Sequence, residues 1–475
     1  MQLKKILILV SLVFISIIAC KKEKFFTDAG AELKFSVDTV KFDTVFTTVG
    51  SATQSFKVYN PYNKSIKISS ISLAKGNNSF FRLNINGVSA RTVTDIEMEA
   101  NDSIYIFVEV HVDPNNTNNP MIVQDSIVFI TNGTPQDIDL VACGQDVNLI
   151  NGDDASGTIS TNTTWNSLKP YLVYNSMLVD SNITLTIASG TKIYFHHGSR
   201  MYVKGTLIAT SSGPTEPIVF RNDRLEHWYD DVPGQWAGIY FVSGSKDNRL
   251  DFCEIKNAII GIQSDTMANS NYTVEISNSK ILNMNAVGIF GQGTNIKAWN
   301  CVIANCGQYA LALTIGGSYE FYHCTIYNSW PYANRQTPSL ILNNYYQDIN
   351  GNYHVRPLNN ATFGNCIIYG SLENEIVFDA FNASSTFNYK FTNSLLKIAD
   401  TVATSNFAHW ENIYKNNLPG IKNPSTGDFS LDTLAYAKDK GDLTIGGNYP
   451  SDILQNSRIS FGLPDLGAYE RQDNK

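Results

Sequence analysis

The densest run of ionisable side chains lies between residues 221 and 231: Arg221-Asn222-Asp223-Arg224-Leu225-Glu226-His227-Trp228-Tyr229-Asp230-Asp231. Carboxylates grouped in this way serve two chemistries. They supply oxygen ligands for Ca²⁺, and they supply the acid and base that break a glycosidic bond, with His227 as a further proton carrier. Asp223, Glu226 and His227 are therefore the catalytic candidates, and Ca²⁺ is implied only if they serve a polysaccharide lyase. The competing reading is a solvated loop between two strands, because no spacing in the run forces the carboxylates to converge. No Cys-x-x-Cys or comparable ligand spacing occurs, so no metal is expected. His196-His197 reads as a bend rather than a metal pair.

A second chemistry is suggested by residues 329 to 360, where Trp330, Tyr332, Tyr345, Tyr346, Tyr353, His354 and Arg356 stand among Asn and Gln. Aromatic faces beside amide donors hold sugar rings by apolar stacking and hydrogen bonds. Trp330, Tyr332, Tyr345, Tyr346 and Tyr353 are the ligand-binding candidates. The alternative is that these rings pack against an apolar face of the fold.

What must position both groups is a recurring phrase: a small residue, then an aliphatic two positions on, then Asn two further. It occurs at Cys253-Glu-Ile255-Lys-Asn257, Ser279-Lys-Ile281-Leu-Asn283, Cys301-Val-Ile303-Ala-Asn305, Cys324-Thr-Ile326-Tyr-Asn328, Cys366-Ile-Ile368-Tyr-Gly370 and Ser394-Leu-Leu396, in steps of 26, 22, 23, 42 and 28 residues. A period in the low twenties with alternation inside each copy implies a solenoid of stacked β-coils. On a strand the three repeated positions share one face. Stacked inward, they form a column of small residues, a column of aliphatics and an asparagine ladder at the bend. A second strand repeats as Ile260-Gly261-Ile262, Val287-Gly288-Ile289 and Leu311-Ala312-Leu313. The 42-residue step reads as one coil with an insertion, Ser339-Leu340-Ile341-Leu342 being its second strand. An antiparallel sandwich is the alternative to this parallel arrangement.

The outward positions of the repeat are apolar in the middle, at Leu282, Val302, Ala304, Ile367 and Leu395. Something must cover them: an insertion, the C-terminal segment or a partner. Only Glu254 is acidic there, which argues against a catalytic groove on that side. The stacked cysteines are expected to be buried free thiols.

The coils open with Ile183-Thr-Leu185-Thr-Ile187, Gly190-Thr-Lys-Ile193-Tyr-Phe195, Met201-Tyr-Val203, Gly205-Thr-Leu207-Ile-Ala209, Pro217-Ile-Val-Phe220 and Trp236-Ala-Gly238-Ile239. This order resembles the right-handed parallel β-helix proteins of bacterial envelopes, a pectate-lyase-like superfold, and the resemblance implies a β-helix over 158–400. Before it, runs such as Ser55–Tyr59, Ile66–Ile71, Ile104–Val110 and Ser126–Ile130 alternate between turn clusters. Residues 35–147 are similar to the immunoglobulin-like β-sandwich modules of such proteins, which act as spacers. Asn148–Gly157 reads as a hinge. Near the end, Ser457-Arg458 and Gly462-Leu-Pro-Asp465-Leu-Gly467-Ala-Tyr469-Glu470 resemble the closing motif of the choice-of-anchor Q domain, so 401–475 is expected to be a C-terminal cap.

The first twenty residues carry Lys4-Lys5, an apolar run from Ile6 to Ile18, and Ala19-Cys20. That is a secretory signal, too short to be a comfortable membrane span. Ile17-Ile18-Ala19-Cys20 resembles a bacterial lipobox, which implies lipid attachment at Cys20, a tether over 21–34 and an outer-membrane address whose leaflet is undecided. Asp-Thr/Ser-aliphatic triplets at Thr39, Thr44, Ser103, Ser126, Thr266, Thr401 and Thr433 resemble O-glycosylation acceptors of the Bacteroidota. A formal charge of −8 and the lack of basic runs interleaved with aromatics exclude a nucleic-acid binder. The expected function is an envelope lipoprotein presenting a β-helix surface for non-catalytic binding of a polysaccharide or a cell-surface protein. A polysaccharide lyase or glycoside hydrolase, and a purely structural surface component, are the alternatives.

Overall fold

The computed structural model describes residues 25–47, 49–114, 121–265, 272–381, 385–460 and 462–472. Cys20 and its signal, and the triplet at Thr266, lie outside them. The chain divides into two compact units, one ending at Asp146 and the other beginning at Val147. Among the described residues no helix is long and apolar enough to cross a membrane.

The first unit consists of two five-stranded sheets. Both are antiparallel apart from one parallel pairing of Asp139–Gln145 with Thr39–Phe46. Strand Ser103–Val110 shows the pattern that builds them, every second residue from Ile104 to Val110 being buried. Phe56, Val58, Ile68, Phe81, Ile106, Val108 and Phe129 belong to one shared core. The segment expected as tether contributes to it: Ala31 and Leu33 are buried, and the Phe26 ring stacks on Tyr62 at 3.9 Å.

In the second unit the repeat forms two long parallel sheets, nearly closed, as in a parallel β-helix. One has 11 strands and the other 17. Each regular coil gives one strand to the shorter sheet and two to the longer, so the longer sheet wraps over two sides. The coil begins earlier and ends later than the repeat suggests. Asn148–Asn151, expected as a hinge, pairs in parallel with Tyr171–Tyr174. At the other end Tyr414–Lys415 pairs with Leu395–Leu396. Strands this short show too little alternation to be read from sequence.

Cys253, Cys301, Cys324 and Cys366 are all buried and free, in line with Ser279 and Ser394. Their neighbours are the core aliphatics Ile255, Ile281, Ile303, Ile326, Ile368 and Leu396. Fully burying one such side chain is worth roughly 1.5–3 kcal/mol, so the column of aliphatics is a main stabiliser of the stack. The 42-residue step is a single coil, since Thr325–Asn328 pairs directly with Ile367–Gly370. The second-strand repeat is corrected by one step: Ile262, Ile289 and Leu311 are in register, so the third copy is Tyr309-Ala310-Leu311. A slide of two residues preserves the alternation and leaves no trace in the pattern. The register explains the glycines. A Cβ on Gly261 would sit 2.7 Å from the Gly288 carbonyl oxygen, and one on Gly288 would sit 2.5 Å from that of Ala310.

The asparagine ladder is present in part. Asn257 donates to Asn222 Oδ1 at 2.8 Å and Asn305 to Asn283 Oδ1 at 3.3 Å. A second ladder precedes four of the six small residues, at Asn278, Asn300, Asn365 and Asn393, and continues at Asn412, with φ between 43° and 54°; Phe252 and His323 hold the same bend before Cys253 and Cys324. Asn tolerates this left-handed bend better than other L-residues. Gly370 breaks the first ladder because the Glu375 carboxylate occupies the space; a Cβ there would meet Glu375 Oε1 at 2.2 Å.

The C-terminal segment, expected to cap the open end, packs along the side of the coil. Phe429, Ile453, Ala468 and Tyr469 cover Leu282, Val302 and Ala304. Leu431, Ala435, Ala437 and Leu466 cover Ile367, Tyr369 and Leu395. Of the three covers considered for that apolar face, the C-terminal segment is the one observed. It is held by the second ladder. Asn365 Oδ1 accepts from the Asp442 amide at 2.7 Å, and Asn300 donates to the Ser451 carbonyl at 2.8 Å. Gly467 passes so close that a Cβ would lie 2.5 Å from Thr325 Oγ1.

Candidate functional site

The acidic run leaves the shorter sheet after strand Ile218–Asn222 and crosses a single 3-10 turn, His227–Tyr229. Its acids do not converge. Asp223 Oδ2 lies 2.7 Å from His196 Nδ1, and the His196 ring stacks on Tyr174 at 4.0 Å. Glu226 takes a forked contact from Arg224, at 2.9 and 3.0 Å from Nε and 2.7 Å from Nη2. Asp230 meets Arg221 at 3.1 Å and His227 at 3.3 Å. Burial opposes ionisation of Asp230, but hydrogen bonds from Arg221 and His227 outweigh it and hold the carboxyl below its ordinary range. Asp231 is held by Lys256 at 2.9 Å. Asp223, Glu226 and His227 are thus turned to three different partners, and His227 is 95% exposed. Among the described residues no three acid, His or Cys side chains stand close enough to share a metal ion.

The aromatic candidates fall into two groups. Trp330 is buried, its ring 5.1 Å from that of Tyr332. The Tyr332 hydroxyl donates to the Asp231 carbonyl at 2.6 Å. These two tie the insertion to the acidic loop. The others form an antiparallel hairpin, Tyr345–Gln347 against Tyr353–Val355. At its tip Asp348 accepts from His354 and from the amides of Asn350 and Asn352, and His354 foremost holds its carboxyl far below the ordinary range. One hairpin face carries Tyr345 and Tyr353, which meet Phe381 at 5.2 and 4.7 Å. Tyr346 lies on the other face, stacked on His354 at 4.9 Å. The Tyr345 hydroxyl donates to Asp379 at 3.0 Å, and Asn343 donates to the same carboxylate at 2.9 Å. Tyr345 is therefore fixed, while Tyr353 remains 51% exposed.

Sequence reasoning missed Phe381, Asp379 and an outward strip of aromatic and amide side chains on the longer sheet. Tyr202, Tyr240, Gln263 and Phe290 occupy neighbouring outward positions in register. Arg200 lies 5.8 Å from both tyrosine rings, and the Tyr240 hydroxyl donates to Asp265. Burial, together with that carboxylate, pushes the Tyr240 phenol up to about 12. The available signal was the outward tyrosine of Met201-Tyr-Val203, recurring one coil later as Ile239-Tyr-Phe241. Of the Asp-Thr/Ser triplets, Thr401 and Thr433 stand in exposed turns, whereas Thr39, Thr44, Ser103 and Ser126 lie within strands.

No protein-family model and no curated protein matches the chain. Among solved structures, a family 123 glycoside hydrolase from Clostridium perfringens is similar at 10% identity over 23% of this chain and 23% of that one, with a TM-score of 0.17. The Salmonella enterica SafA pilin in complex with the SafB chaperone is similar at 13% identity, over 26% and 56%, with a TM-score of 0.17. The N-terminal domain of PorA is similar at 14% identity, over 24% and 97%, with a TM-score of 0.18. The chain spans about a quarter and just over half the length of the first two, and likenesses this low carry no argument.

Proposed function

We propose that this protein is a bacterial envelope lipoprotein, anchored to the outer membrane through Cys20, that binds a glycan without turning it over. In this reading the two-sheet unit is an immunoglobulin-like spacer, the coil is a right-handed β-helix, and the choice-of-anchor Q-like motif fastens its C-terminal strap. The observation that carries the binding role is the platform of Tyr345, Tyr353 and Phe381. It is pinned by Asp379 with one ring left open and the Asn343 amide on the same carboxylate. Rigid aromatic faces beside amides suit sugar rings. The non-catalytic half of the reading is supported by the acidic loop, whose carboxylates are each taken up by a different basic side chain.

The test is a polysaccharide panel on the full chain, following binding together with new reducing or unsaturated ends, with and without Ca²⁺. Binding without product, weakened about tenfold by Tyr353→Ala, which is 1.4 kcal/mol, is the expected result. Product formation that disappears in Asp223→Asn, Glu226→Gln or His227→Ala would replace this reading with a lyase or hydrolase.

A further inference from the structure

The strap does more than cover apolar surface. Where it crosses the bends of the longer sheet it leaves a cavity of about 290 Å³, walled on the coil side by Trp299, Asn278 and Asn300 and on the strap side by Asn448, Tyr449 and Gln455. Trp299 and Tyr322 occupy the same outward position on neighbouring strands. Both rings lean on Tyr449, at 5.7 and 5.0 Å. Trp299 and Tyr449 are half-buried, so part of each face is open to the cavity.

The polar groups around these rings divide into spent and free. Asn300 donates to Asn278 Oδ1 at 3.0 Å and to the Ser451 carbonyl at 2.8 Å. Asp452 also lines the cavity, but its carboxylate accepts from the amides of Leu454, Asn456 and Glu470. Those side chains build the wall. Asn448 and Gln455 are exposed, and their side-chain amides form no hydrogen bond among the described residues. Each offers both donors and an acceptor to an occupant.

Charge narrows the ligand further. The cation nearest the rings is Lys297, 5.7 Å from Trp299 and 6.0 Å from Tyr449. It stands between Glu275 and Glu320 on the adjoining strands. Glu275 is also paired with Arg249 at 3.1 Å, so two carboxylates balance two cations beside the rings and no excess positive charge favours a carboxylate, sulfate or phosphate.

We infer that this groove is a second sugar site, taking one or two units of a neutral oligosaccharide, with Trp299 and Tyr449 as stacking faces and Asn448 and Gln455 as hydroxyl partners. The inference rests on the glycan-binding reading but places a site away from the hairpin. Because one wall is the strap and the other the coil, occupancy also clamps the strap in place.

The experiment measures binding of β-1,4- and β-1,3-linked glucohexaose, α-linked mannohexaose and, as the acidic comparison, hexagalacturonate to the full chain by calorimetry. It includes Trp299→Ala, Asn448→Ala paired with Gln455→Ala, and Tyr353→Ala, each checked for an unchanged circular dichroism spectrum. The expected result is binding of a neutral hexaose that weakens at least tenfold in Trp299→Ala and in the amide pair, and that slows hydrogen exchange of strap amides 440–470. The amide pair lies on the surface and keeps the test decisive if Trp299→Ala misfolds. Binding lost only in Tyr353→Ala would overturn the groove while sparing the hairpin. Tighter binding of hexagalacturonate through Trp299 would overturn the neutral specificity, and absence of binding by every probe would overturn both sites.

Discussion

Two sides of one coil share a backbone rhythm and differ only in what points outward. On the shorter sheet Leu282, Val302, Ala304, Ile367 and Leu395 are buried beneath the strap. On the longer sheet the corresponding positions are Tyr202, Tyr240, Gln263 and Phe290 in one strip and Glu275, Lys297 and Glu320 in another, none of them fully buried. The inward columns make the fold, and they are alike for both. The outward positions decide which side receives the rest of the chain and which stays available to a ligand. Aliphatic runs demand a cover, whereas aromatic and amide positions accept solvent or sugar.

The most direct way to break this comparison is to remove the cover. A chain ending at Asn416 leaves the apolar face open, and the expected outcome is self-association, seen as a large shift in size-exclusion chromatography at micromolar concentration. A monomer with an unchanged melting transition would show that the strap is dispensable. Next in size is Arg458→Ala. The Arg458 side chain is fully buried, 3.3 Å from Glu470 Oε2 and 3.0 Å from Asn300 Oδ1. Removing it strands two buried acceptors, Asn300 Oδ1 and the Gly467 carbonyl, each 3.0 Å from the guanidinium, and an unsatisfied buried polar group costs roughly 1–3 kcal/mol. Strap amides should then exchange faster, while those of strands on the longer sheet such as Thr184–Ile187 keep their protection.

A smaller effect is read in pH. Burial, then the neighbouring Asp465, pushes the Glu470 carboxyl up from 4.5 to about 8, and burial raises Asp465 as well. Over that window the folded state keeps a proton that the unfolded chain has released, so stability falls as pH rises from about 4.5 to about 8. Glu470→Gln should flatten the fall in thermal midpoint across those pH values. A midpoint that rises with pH in the parent chain would show that Arg458 keeps Glu470 ionised.

The covered side was legible in the sequence because its signal is redundant. Six copies of one phrase fix both the inward columns and the outward aliphatics, so the need for a cover followed directly. Which segment would supply it did not, since Phe429, Leu431, Ile453 and Leu466 carry no period of their own. The left-handed asparagines before four of the six small residues were also in plain view as Asn278-Ser279, Asn300-Cys301, Asn365-Cys366 and Asn393-Ser394. Their second role, holding the strap, depends on contacts 47 to 151 residues apart. The candidate site was half legible. Tyr345 and Tyr353 meet because a hairpin register puts them on one face, but Phe381 completes the platform from the following coil. Trp330 and Tyr332 share their composition and not their place. In the 221–231 run Glu226 and Asp230 pair with neighbours inside the run, but Asp223 and Asp231 are held by His196, Lys256 and Asn283, which local spacing does not reveal.

The smallest expected effect sharpens the contrast from the open side. Asp223 and Glu226 each keep only 11% side-chain exposure, but their partners His196 and Arg224 keep 42% and 38%. Water reaches and screens the basic side of each pair, and the Asn and Gln replacements keep an acceptor oxygen, so each change should cost about 0–1 kcal/mol. Asp223→Asn and Glu226→Gln should therefore each move the thermal midpoint far less than Arg458→Ala does. They should also leave the proposed sugar binding at the hairpin unchanged, since neither carboxylate contacts Tyr345, Tyr353 or Phe381. A loss comparable to that of Arg458→Ala would mean that the acidic loop is part of the architecture of the coil, and the division into a covered structural side and an open functional side would have to be redrawn around it.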